Sequence, residues 1–97
     1  GLPAEYGILI ESVAPGSAAY RAGLRGGNHT AYIGNEQISI GGDLIVAIDG
    51  HQITNSQDLA EIMDEHQPGD AVTVTFYRGP RKMTTRLTLG EAHETTV

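Results

Sequence analysis

The sequence predicts an α+β fold that is mainly β, a half-open barrel of five or six short strands capped by two helices. Thirteen glycines in 97 residues cut the chain into short segments, as tight turns require. Val72, Val74 and Phe76 alternate with Thr73, Thr75 and Tyr77, the two-residue period of a strand with one buried face. Leu59, Ile62, Met63 and His66 recur at helical spacing and mark one longer helix. Strict strand–helix–strand alternation is missing, which excludes a doubly wound parallel sheet. The length suits one domain with one modest core. With one Phe, four Tyr and no Trp, that core rests on Ile, Leu, Val and Ala.

Taken in order, Tyr6 to Val13 reads as a strand, with Ile8, Leu9, Ile10 and Val13 apolar. Ala14-Pro15-Gly16-Ser17 ends it, and Ser17 can cap a short helix running to Ala22. Gly23 suits the left-handed residue that closes such a helix. Arg25 to Gly42 reads either as a small hairpin turning at Gly34-Asn35 or as an irregular excursion. Leu44-Ile45-Val46-Ala47-Ile48 is a buried strand, Asp49-Gly50 a tight turn, and His51-Gln52-Ile53 the short return. Asn55 or Ser56 caps the second helix, which extends to about His66 before Pro68-Gly69-Asp70 breaks it. Ala71–Tyr77 and Lys82–Leu89 pair as a hairpin around Arg78-Gly79-Pro80-Arg81. Gly90 ends the fold, so residues 1–90 form the domain and 91–97 a polar tail.

Charge and composition narrow the function. The net charge is −6, the wrong sign for a surface that tracks phosphates, so no nucleic-acid partner is expected. Four of the six basic residues fall at Arg78, Arg81, Lys82 and Arg86, which reads as a solvated hairpin. Without cysteine there is no disulfide and no thiolate zinc site. No run is long enough to span a bilayer, and no signal peptide is expected within these residues. The opening Gly1-Leu2-Pro3-Ala4 lacks a methionine, so the sequence is expected to be part of a longer chain.

Catalytic or metal chemistry finds no support. His29, His51, His66 and His93 are scattered, with no pair at ligand spacing. Asp43 and Asp49 each sit beside glycine in a turn, where a carboxylate bonds local amides, so both read as structural. No serine lies in a Gly-x-Ser-x-Gly context, and Gly26-Gly27 and Gly41-Gly42 are too short for a phosphate cradle. No catalytic residue, metal or cofactor is expected.

One ordered set of motifs is more specific. Tyr6-Gly7-Ile8-Leu9-Ile10 precedes Pro15-Gly16-Ser17-Ala18-Ala19, then Ala22-Gly23-Leu24, Gly42-Asp43-Leu44-Ile45 and Asp49-Gly50. Over residues 5 to 90 this order resembles a bacterial PDZ domain, closest to the PDZ modules that follow the protease domain in HtrA/Deg serine proteases. The resemblance implies a PDZ-like fold and a peptide-binding role, in which a C-terminal or extended hydrophobic peptide adds as a strand beside the second helix. It implies Ile8, Leu59, Ile62, Met63 and His66 as peptide-binding residues, with Asp58 and Glu65 as alternative rim positions. It implies an extracytoplasmic, bacterial setting and a non-catalytic module of a longer serine endopeptidase. A PDZ adaptor without a protease is the alternative.

In HtrA-type PDZ domains the carboxylate-binding loop and groove strand precede the strand matching Gly7–Ile10, so both are expected before Gly1. The end of the chain, His93-Glu94-Thr95-Thr96-Val97, resembles a class I PDZ ligand in its Thr95, Thr96 and Val97. The expectation is self-association through residues 93–97, docked in a neighbour's groove; a disordered tail is the competing reading.

Overall fold

The structure is a computed structural model that describes residues 6–89. The tail residues Thr95, Thr96 and Val97 lie outside the described residues. The elements in chain order are β1 (Ile8–Leu9), α1 (Ala18–Arg21), β2 (His29–Ile33), β3 (Glu36–Ile40) and β4 (Leu44–Ile48). They continue with β5 (His51–Gln52), α2 (Ser56–Asp64), β6 (Ala71–Arg78) and β7 (Arg81–Thr88). Five strands form one open antiparallel sheet in the order β1-β4-β6-β7, with β5 also paired to β4. The mainly β architecture with two short helices is the expected one, and the main sheet has five strands.

Alternation builds the core. Leu44, Val46 and Ile48 point inward from β4, and Val72, Val74 and Phe76 do so from β6. Leu24 and Ile53 complete the buried set. Each such side chain contributes about 1.5–3 kcal/mol by leaving water. Register shifts between Ile45 and Ala47 where β4 meets β6, a local irregularity in an otherwise regular ladder.

The turns form as their chemistry demands. Asp49 and Gly50 have φ of 51° and 83°, two successive positive values that join β4 to β5. Asp49 is not tied to its own turn, however. Its carboxylate accepts from the Thr73 amide at 2.8 Å, and its amide donates to the Thr73 carbonyl at 2.8 Å. Ser17 caps α1 by accepting from the Tyr20 amide at 3.2 Å. Gly23 has a φ of 90°, and Leu24 turns back so that its amide reaches the Ala19 carbonyl.

Three features depart from the expectation. The first strand is short: only Ile8 and Leu9 pair with β4, and beyond Ile10 the chain leaves it. The cause is a change of partner, because the Glu11 carbonyl accepts from the Gly27 amide instead. Residues 28–41 form the hairpin rather than an irregular excursion, turning at Gly34-Asn35, but as a separate two-stranded sheet. Lastly, Arg78 is not a solvated hairpin residue. It forms a bidentate pair with Asp43, Nε to one carboxylate oxygen and Nη2 to the other, each at 2.9 Å. Asp43 is 1% exposed, and its carboxylate also accepts from the Arg25 amide. Its role is structural as expected, but its partners are remote in sequence. No helix among the described residues is long and apolar enough to cross a membrane.

Candidate functional site

The candidate site lies where α2 faces β1. Asn55 starts α2 by accepting from the Asp58 amide at 2.9 Å. The Asp58 carboxylate reaches one residue further back, accepting from the Thr54 amide at 2.9 Å and from the Thr54 hydroxyl. Those bonds, the hydroxyl first, hold the Asp58 carboxyl below the usual range for aspartate. Asp58 therefore serves the helix start rather than a rim, and Glu65 closes the other end as the C-cap.

With its start fixed, α2 turns Leu59, Ile62 and Met63 half-buried against the core. A cavity of about 300 Å³ opens between this face and the sheet. Leu59 and Met63 line it from α2, Ile8 and Ile10 from β1 and its continuation, and Leu87 and Leu89 from β7 and the residue after it. Apart from Ser12, its walls are apolar side chains. Among the described residues, the outer edge of β1 has no ladder partner. An unpaired backbone edge beside an apolar slot can accept an extended chain: the edge supplies hydrogen bonds and the slot takes alternate side chains.

The structure gathers Ile8, Leu59 and Met63 around this cavity, whereas Ile62 and His66 do not line it. Ile62 packs on the core from the same helix. His66 follows the helix end, with Nδ1 2.7 Å from the Ile62 carbonyl and Nε2 3.6 Å from the Asp49 carboxylate. The Ile62 carbonyl and, against the opposing effect of burial, the Asp49 charge raise its pKa above the ordinary histidine value. Sequence reasoning missed Ile10, Leu87 and Leu89. The signal for the latter two was present, since Met83, Thr85, Leu87 and Leu89 continue one face of β7 with period two.

A family model described as "PDZ domain" matches residues 3–89. The chain belongs to the PDZ family. A curated relative is "Protease Do-like 1, chloroplastic" of Arabidopsis thaliana, 34% identical over 83 residues, 86% of this chain and 18% of that protein. Another is "Putative serine protease HhoA" of Synechocystis sp., 32% identical over 82 residues, 84% of this chain and 17% of that protein. This PDZ domain thus spans less than a fifth of these relatives. Among solved structures, the PDZ domain of an SdrC-like protein from Listeria monocytogenes superposes with a TM-score of 0.67. At 22% identity over 90% of this chain and 75% of that one, it shows the fold alone. An aminopeptidase N family protein from Idiomarina loihiensis matches at 31% identity with a TM-score of 0.64, over 91% of this chain and 13% of that one.

Proposed function

We propose that this PDZ domain binds C-terminal or extended hydrophobic peptides by strand addition at β1, with peptide side chains entering the cavity beside α2. The observation that carries the reading is the cavity itself, where Ile8 and Ile10 face Leu59 and Met63 next to a strand edge that has no ladder partner among the described residues. Ile62 and His66 support the groove helix from behind, one by core packing and the other by anchoring its end. On this reading the module is the substrate-recognition or regulatory part of an HtrA/Deg-type serine protease in an extracytoplasmic compartment, a role that the likeness to Do-like proteases supports. The domain occupies residues 1–90, and the tail ending Thr95-Thr96-Val97 acts as a ligand for a neighbouring copy.

The test is a titration of the domain extended upstream through the expected carboxylate-binding loop and groove strand, followed by amide chemical shifts, with peptides that end in apolar residues. Saturable shifts centred on Ile8, Leu59 and Met63 are expected; their absence overturns the reading. Removing residues 93–97 is expected to lower self-association in sedimentation, and unchanged sedimentation discards the tail as a ligand. A second reading, a module of a protein other than a serine protease, is favoured by the match within an aminopeptidase N family protein; a PDZ adaptor without a protease is the further alternative. A Gly-Asn-Ser-Gly-Gly segment upstream in the parent polypeptide decides for the protease.

A further inference from the structure

We propose that a cleft lined by Arg25, Arg78 and Arg81 is a second recognition site, one that takes the carboxylates of an acidic peptide segment. The cleft holds about 410 Å³ and is walled by these three arginines with Pro80 and Met83. Half of the six basic residues of an acidic chain thus meet at one place. Against them stands the single buried carboxylate of Asp43.

The geometry is pre-organised. Asp43 accepts from the Arg25 amide at 2.9 Å and grips Arg78 by two bonds of 2.9 Å, so one buried group fixes the Arg78 guanidinium and the backbone from which the Arg25 side chain springs. Arg78 is fixed further by donating to the Gly23 carbonyl at 2.9 Å and by lying 5.4 Å from the Phe76 ring centre. Arg81 stands directly across the hairpin from Arg78 in the β6–β7 register. Among the described residues, the side chains of Arg25 and Arg81 form no ion pair or hydrogen bond. Glu11 lines the adjoining depression, which shares Arg25 with the cleft, and it forms no ion pair with that arginine.

Two guanidinium forks unpartnered among the described residues line the cleft beside a third and concentrate positive potential there, and a guanidinium fork matches a carboxylate in bidentate geometry. The Asp43–Arg78 pair already shows that match within the cleft wall. The apolar wall of Met83 and Pro80 suits the methylene stem of a glutamate better than a free ion. The depression beyond Arg25 lets a chain continue past the charged contacts, as a peptide needs. This site does not depend on the β1–α2 cavity.

The experiment is calorimetric titration of the 97-residue chain with N-acetylated, C-amidated hexaglutamate at about 50 mM salt, where screening is weak. Saturable binding is expected, weakened about tenfold by each of Arg25→Gln and Arg81→Gln. Arg25→Lys keeps the charge without the fork and is expected to fall between Arg25→Gln and the parent. Leu59→Ala is expected to leave hexaglutamate binding unchanged. Because the probe has neither apolar side chains nor a free terminal carboxylate, failure of the apolar-peptide titration would leave this site standing, and the reverse. Binding unaffected by the double variant Arg25→Gln/Arg81→Gln overturns the proposal, as does absence of binding. Inorganic phosphate binding as tightly as hexaglutamate overturns the peptide assignment.

Discussion

The two ends of the sheet are stabilised by opposite means. At the Asp43 end, a buried carboxylate, a bidentate arginine and backbone groups close a polar network, and among the described residues no buried side-chain polar atom lacks a partner. At the β1–α2 end, apolar side chains stop half-buried around a cavity, and among the described residues the β1 edge has no partner. The difference separates two ways of building a surface. At the Asp43 end close polar contacts fix the wall and leave charged groups to bind on its outer side, whereas at the other end unfinished apolar packing keeps binding energy in reserve.

Removing the carboxylate is the most damaging way to break that contrast. Asp43→Ala strands Arg78 and the Arg25 amide, and the expected loss is about 3 kcal/mol, since Arg78 retains some access to water. Urea unfolding checks it, and an unchanged midpoint would contradict a structural role for the pair. Leu59→Ala acts at the other end. It is expected to cost about 1–2 kcal/mol, below the usual range for a fully buried leucine, while weakening apolar-peptide binding by about tenfold or more. Undiminished peptide affinity in a folded Leu59→Ala chain would break the distinction between the two ends. Asn55→Ala removes the α2 cap and is expected to cost about 1 kcal/mol, seen as a lower melting temperature.

The smallest effects are those of pH. The folded pKa of His66 lies above its ordinary value of 6.5, so its contribution is full below that value and fades as pH rises through the folded pKa. Thermal melts on either side of neutrality should show this fading, and His66→Gln should abolish it. Asp58 works in the other direction: its folded pKa lies below 3.8, so its stabilisation is present above that value and lost as pH falls through the folded one. An Asp58→Asn chain whose acid unfolding matches the parent would remove Asp58 from the account.

Legibility in the sequence followed the range of the interactions. The Asp49-Gly50 turn, the alternation of β6 and the apolar face of α2 depend on neighbours within a few residues, and all three were readable. The short β1 was not, because its end is set by the meeting of Glu11 with Gly27. Nor was the role of Arg78, whose partner lies 35 residues away. The site was legible in part for a similar reason. Helical spacing puts Leu59, Ile62 and Met63 on one face, but only the sheet beneath decides which of them lines a cavity.

The excursion between Arg25 and Asp43 is closed at its base. The Asp43 amide donates to the Arg25 carbonyl at 3.0 Å while the Asp43 carboxylate holds the Arg25 amide. Beside this clasp, Gly42 approaches the Ile10 carbonyl so closely that a side-chain carbon there would collide with backbone. The β2–β3 ribbon therefore hangs from a junction that is complete without it. Doubling such a loop costs only about 0.6 kcal/mol in closure entropy. Its length and decoration are free to vary by insertion or exchange while the body of the domain stays the same, which makes it a natural place to graft a new sequence.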